Sequence, residues 1–144
     1  QNWLRQEKSY RAFGTELGRD ATPLEAGLDR FVDLNKSFHG KEAMIETGIR
    51  SKCVTVLIDG PADADPWGRE ALVLNGEKVG RLTSGGYSVA FGKQIGMGYV
   101  RPDLAEVGTK LQVRMFRQLF DAVVTEDSPY DPSNATIRVN APGF

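Results

Sequence analysis

Glu7 is the side chain with the most evident chemical use in this sequence, standing in Leu4-Arg5-Gln6-Glu7-Lys8-Ser9-Tyr10-Arg11-Ala12-Phe13-Gly14 with aromatics behind it. A carboxylate can accept two N–H bonds from an amidine-like edge, such as that of a pterin or guanine ring, which fixes orientation as well as adding affinity. The spacing also suits a plainer role. Arg11 lies four residues on, in the favourable order for a helix-surface ion pair worth ~0.2–0.5 kcal/mol. Spacing alone favours that ion pair.

The other reactive side chains carry less. His39 is the only histidine, whereas a metal site ordinarily takes two or more, so a loop histidine is the simpler reading and no metal site is assigned. Cys53 is the only cysteine; it excludes an internal disulfide, and its alternation with Thr55 and Leu57 reads as a buried inert thiol in a strand. Gly85-Gly86 and Gly96-Met97-Gly98 complete neither the Rossmann nor the P-loop spacing. They read as turns or close backbone approaches. Trp67, in Asp65-Pro66-Trp67-Gly68, reads as a turn residue lying on the core surface, and Tyr87 as a residue that packs or lines a cleft.

The elements that must position these groups change character near residue 51. Before it the pattern is helical with short connections. Thr22-Pro23-Leu24-Glu25 has the makings of a helix start: Thr22 can cap, Pro23 loses no useful N–H, and Glu25 can complete a capping box. A second short helix is expected over Lys41–Thr47, between Gly40 and Gly48. Beyond residue 51 come six strand candidates: Cys53–Ile58, Ala71–Leu74, Glu77–Thr83, Gln94–Val100, Leu111–Met115 and Leu119–Thr125. Asn75-Gly76 between two of them is a strong hairpin signal, because both central residues of a type I′ turn need φ > 0. Such a series reads as a small antiparallel barrel or sandwich. Many of the 16 glycines fall at its predicted turns.

The fold class is therefore α+β: a short helical or mixed N-terminal part followed by an antiparallel β-barrel of about six strands. The divisions are expected at 1–50, 51–128 and 129–144, the last an extended tail with Pro129, Pro132 and Pro142.

The chain has 144 residues, 18 Lys plus Arg against 19 Asp plus Glu, and a net charge of −1 with the signs interspersed. Nucleic acid and anionic membrane surfaces are poor partners for such a distribution. No apolar run approaches the ~20 residues of a transmembrane helix. The cytoplasm is the default compartment, and a mitochondrial matrix would look the same. Starting at Gln1, with the first motif following at once, the chain looks like the tail of something larger.

Taken together, the motifs resemble the glycine-cleavage T-protein (aminomethyltransferase) family. Leu4-Arg5-Gln6-Glu7 is similar to its Leu-Arg-Leu-Glu, and Phe13-Gly14 falls at its Tyr-Gly. Thr22-Pro23-Leu24-Glu25-Ala26-Gly27-Leu28 matches its Thr-Pro-x-Glu-Ala-Gly-Leu. Phe38-His39-Gly40-Lys41-Glu42-Ala43 is similar to its Phe-Ile-Gly-Lys-Glu-Ala. Val79–Gly85 and Ile95–Val100 are similar to the Gly-x-Val-Thr-Ser-Gly and Ala-Met-Gly-Tyr-Val of its C-terminal domain.

The resemblance implies a parent enzyme that binds tetrahydrofolate and transfers a one-carbon unit to it from a small amine or a carrier-bound aminomethyl donor. Glu7 to Leu17 and Pro129-Tyr130-Asp131-Pro132 look more like the flavin-linked branch, the dimethylglycine and sarcosine dehydrogenases. FAD would then sit in an N-terminal part of the parent, which would also be this chain's partner. Carried over by position, Glu7 is the pterin-binding glutamate. Lys36 stands about where the family has a folate-contacting arginine, keeping the charge but losing the planar fork. Tyr10 and Tyr87 are further folate candidates by their proximity to motifs. The family's catalytic aspartate lies upstream of these residues, so no catalytic residue is assigned here and the chain alone is expected not to turn over. Two alternatives on the same fold remain open: a non-catalytic folate-binding protein of the iron–sulfur maintenance type, and a folate-dependent sulfonium demethylase. The first carries Lys-Gly-Cys-Tyr-x-Gly-Gln-Glu, and Lys36–Glu42 lacks its cysteine.

Overall fold

The computed structural model describes residues 2–61 and 63–140. Six strands, β1 (Lys52–Ile58), β2 (Ala71–Leu74), β3 (Glu77–Ser88), β4 (Lys93–Val100), β5 (Lys110–Met115) and β6 (Gln118–Thr125), close into a barrel in the order β1-β4-β3-β2-β5-β6. Every pairing is antiparallel, and β1 closes the ring by pairing with both β4 and β6. Val56, Ile58, Leu72, Leu82, Val100, Val113 and Val124 fill the interior. The α+β class with a six-stranded antiparallel barrel is thus the observed architecture.

Local chemistry accounts for the strand ends. Asn75 (φ 51°) and Gly76 (φ 83°) make the expected β2–β3 turn. The β5–β6 turn uses Phe116 (φ 50°) and Arg117 (φ 65°), non-glycine residues held in the left-handed region, so no composition signal marked it. β3 runs on through Gly85 and Gly86, where a turn was one of the expectations. It continues because Gly85 lies under the Pro66 ring, where a Cβ would come within 2.7 Å of the ring's own Cβ. That is the close approach the alternative reading anticipated.

β1 and β4 are buried along nearly their whole length, which an ordinary half-exposed antiparallel strand would not be. The reason is a second layer. Residues 2–28 lie over the outer face of β1, β3 and β4, where Ser9 Oγ meets Thr55 Oγ1 at 2.7 Å and the Cys53 N–H donates to the Glu25 carbonyl at 2.8 Å. Burial pushes the Cys53 thiol up to about 12. It is the inert thiol the strand pattern implied.

The N-terminal layer comprises helix α1 (Asn2–Glu7), a series of turns, and helix α2 (Lys41–Thr47), which matches the expected span. The helix expected from Thr22 is a single turn. Its capping box forms, with the Thr22 N–H donating to Glu25 Oε2 at 2.8 Å and the Glu25 N–H to Thr22 Oγ1 at 3.2 Å. Gly27 at φ 70° then ends it. Glu25 is recruited instead by Arg50, whose guanidinium and backbone N–H all donate to it at 3.0–3.1 Å. Burial opposes its charge, yet the Arg50 and Thr22 bonds hold its carboxyl at about 2.

The C-terminal segment, expected to be an extended tail, clasps the N-terminal layer. The Ser128 N–H donates to Ser9 Oγ (2.9 Å), Ser128 Oγ to the Lys8 carbonyl (2.8 Å), and the Tyr130 N–H to the Glu7 carbonyl (3.1 Å). It includes helix α3 (Ala135–Asn140), and residues 141–144 of the expected tail lie outside the described residues. No described helix is long and apolar enough to cross a membrane.

Candidate functional site

Glu7 is the last residue of α1 and is only 5% exposed. The helix-surface pair with Arg11 does not form, because the chain leaves the helix at Ser9 in a left-handed conformation (φ 51°). Arg11 turns to Asp127 instead, at 2.9 and 3.0 Å, and to the Ser9 carbonyl. Glu7 Oε1 accepts a short hydrogen bond from Ser88 Oγ at the end of β3. Its other oxygen has no hydrogen-bond partner among the described residues. The carboxylate is held at one oxygen and free at the other.

The remaining candidates do not converge on it. Tyr10 is 58% exposed and lines a groove of about 530 Å3 with Arg11, Arg30, Phe31 and Asp127, which Glu7 does not line. Arg30 lies over the Phe31 ring there, 4.8 Å from its centre. Tyr87 is half-buried next to Ser88, and strand alternation turns it to the opposite face of β3. Lys36 sits on an exposed loop, 3.9 Å from Asp33. His39 is exposed on the loop before α2, and the described residues contain no cluster of His, Cys, Asp or Glu able to hold a metal. Trp67 is 91% exposed, farther from the core than its reading as a surface-lying turn residue required.

Two buried groups escaped the sequence reading. Glu16, 1% exposed, accepts bonds from Arg5 Nη1 (2.8 Å), the Ala12 N–H (3.0 Å), Thr15 Oγ1 (2.8 Å), Thr83 Oγ1 (2.7 Å) and Ser84 Oγ (2.7 Å). Burial opposes its charge, but these donors carry its carboxyl down to about 2. It rivets the layer bearing Glu7 to β3. No spacing rule singles out an acid in Phe13-Gly14-Thr15-Glu16-Leu17.

Gln6 is the second. It is wholly buried, and neither atom of its amide has a partner among the described residues. The similar family motif has leucine there. A buried unsatisfied amide costs about 1–3 kcal/mol, so Gln6→Leu is expected to raise the thermal midpoint by several degrees in a melting scan. A lowered midpoint would mean that the amide is satisfied in the parent.

Residues 52–131 match the glycine cleavage T-protein C-terminal barrel domain. The chain is 40% identical over 133 residues to human mitochondrial dimethylglycine dehydrogenase, covering 88% of this chain and 15% of that protein. It is 32% identical over 131 residues to an aminomethyltransferase of Caldanaerobacter subterraneus, covering 88% of this chain and 34% of the relative. The crystal structure of the glycine cleavage system aminomethyltransferase T from Bartonella henselae superposes with a TM-score of 0.81 at 24% identity, over 91% of this chain and 38% of that one. At that identity the superposition speaks for the fold. The chain spans a small part of the relatives it matches.

Proposed function

The chain belongs to the glycine cleavage T-protein family through its C-terminal barrel domain, and on that premise we propose that it is the C-terminal part of a tetrahydrofolate-dependent one-carbon transferase, the folate module of a flavin-linked dimethylglycine dehydrogenase. The observation that carries this reading is the Glu7 carboxylate, fixed at one oxygen and free at the other. The ring edge of a pterin offers adjacent N–H donors, and a carboxylate held in this way meets them without first paying to be ordered. Identity to human dimethylglycine dehydrogenase, at 40% over 88% of the chain, favours the flavin-linked branch.

In this reading folate accepts the one-carbon unit, and the chain's own residues bind and orient. Glu7 grips the pterin edge. Tyr10 lines a separate groove with Arg30 and Phe31, where another part of the folate would lie. Lys36, on its exposed loop, and Tyr87, on the other face of β3 from Ser88, would meet other parts of the folate. Apolar side chains exposed on residues 1–50, among them Phe31, Leu34, Phe38, Ile45 and Ile49, support the view that this segment is one wall of a larger folate domain. Residues 1–50, 51–128 and 129–144 then correspond to the end of that domain, the barrel and the clasp. In the parent a flavin belongs to a separate N-terminal domain, and a small methylated amine is the donor. A mitochondrial matrix location fits the dehydrogenase relatives.

A second reading, a stand-alone aminomethyltransferase, draws on the 32% identity to the Caldanaerobacter protein. Its donor would be carried by a partner protein. The parent's length and a dinucleotide fingerprint upstream separate the two.

Titration of tetrahydrofolate into the full-length parent and its Glu7→Gln variant tests the central claim. Losing a charge-assisted bidentate contact is expected to weaken binding about 10–100-fold. Equal affinity in the two proteins would remove Glu7 from the site.

A further inference from the structure

We propose that Ser88 is the positioning residue for the Glu7 carboxylate, and that the barrel thereby aims a group belonging to the other layer. The inference rests on the folate reading of Glu7. Its own basis is geometric.

Ser88 is wholly buried at the end of β3. Its Oγ has two neighbours: Glu7 Oε1, and the Phe91 N–H at 3.3 Å. The valences leave a single assignment. An amide N–H can only donate and a carboxylate can only accept, so Ser88 accepts from Phe91 and commits its one hydrogen to Glu7. A serine hydroxyl normally rotates to suit its surroundings. Here the β3–β4 turn removes that freedom, because the Phe91 N–H is delivered by residues 89–92, closed by Gly92 at φ 60°. The bond spans 81 residues of sequence and joins the two layers where α1 ends.

The consequence for binding is directional. With Oε1 occupied, rotation of the carboxylate is restrained, and the second oxygen keeps its lone pairs for another donor. Without Ser88, Glu7 would lose its one side-chain partner among the described residues and could turn about its terminal torsion, which has a broad energy well. A ligand needing both oxygens in one plane would then bind a carboxylate that first has to be ordered.

The alternative is that Ser88 only helps dock α1 on the barrel. A double-mutant cycle on the full-length parent separates the two, reading tetrahydrofolate affinity under anaerobic conditions beside the ligand-free thermal midpoint. Ser88→Ala is expected to weaken folate binding about tenfold in the wild-type background. It is expected to cost nothing further in a Glu7→Gln background, where the group it aims is already altered. An equal loss in both backgrounds assigns Ser88 a purely structural role and overturns the proposal. A weakened Glu7→Gln with an unchanged Ser88→Ala overturns it too, leaving the folate reading standing. An unchanged Glu7→Gln overturns the folate reading itself. Ser88→Cys, which keeps the volume and a weaker donor, is expected to fall between serine and alanine, and carries the cycle if the alanine variant does not fold.

Discussion

Replacing Glu16 with alanine is expected to destabilise the chain by about 3–5 kcal/mol, the range for removing one partner of a buried charged pair, measured by urea unfolding at neutral pH. The side chain is buried with five donors aimed at it from three places: Arg5 in α1, Ala12 and Thr15 in the following turn, and Thr83 and Ser84 on β3. Alanine removes this acceptor from all five: Arg5, Thr15 and Thr83 keep the Tyr10, Ala12 and Met97 carbonyls, whereas the Ala12 N–H and the buried Ser84 hydroxyl lose the bonds to Glu16. The same bonds make stability depend on pH. In the unfolded chain Glu16 takes up a proton near its ordinary 4.5, and in the folded chain only near about 2. Its contribution is therefore complete above about 4.5 and is lost as the pH falls toward 2. Glu25 titrates in the same window. Urea midpoints measured at pH ~5 and pH ~3 should fall less steeply for Glu16→Gln than for the native sequence. Identical slopes would mean that Glu16 is not the group responsible.

Gly98→Ala is expected to be among the most damaging single-methyl additions in the barrel, at or above the ~3 kcal/mol upper end for overpacking. A Cβ at Gly98 would lie 2.8 Å from Leu82 Cα and 3.0 Å from the Arg81 carbonyl carbon, both backbone atoms of the neighbouring strand. Backbone cannot rotate away as a side chain can. The β3–β4 ladder would have to open beside Leu82, where its register already shifts. Gly18 makes the informative contrast. It has no neighbour within 4 Å of a built Cβ, so Gly18→Ala should be neutral or stabilising by ~0.4–1 kcal/mol through the unfolded chain. Thermal melts of the two variants side by side check the pair. Similar midpoints would show that the β3–β4 spacing is not fixed by Gly98.

Much of the barrel was legible because strands announce themselves locally. β-branched runs, Asn75-Gly76 and the alternation of Leu111, Val113 and Met115 each act over a few residues. What was missed involves pairs distant in sequence. The Thr22 capping box could be read from four residues, but not that Gly27 would stop the helix at once or that Arg50 would claim Glu25. The ion pair of Glu7 with Arg11 was a sound local inference, displaced by Asp127 and Ser88, which lie 116 and 81 residues away from their partners. For the same reason Glu16 left no trace in the sequence: its donors come from both layers. At the proposed site the family motif, not the spacing, singles out Glu7, and Tyr10, Lys36 and Tyr87 were grouped with it by nearness to motifs in the chain, which does not bring side chains together.

The clasp between the two ends of the chain has a consequence for how the fold comes into being. Residues 7–9 bond to residues 128–130, a separation of about 120 residues, and the surface beneath them exists only once β1, β3 and β4 are paired. Loop-closure entropy must be met before such distant contacts repay it, so the layer holding Glu7 settles late, after the barrel has closed. On a ribosome residues 7–9 emerge long before the residues 128–130 that hold them, and the layer bearing Glu7 is closed only when translation has passed the far side of β6.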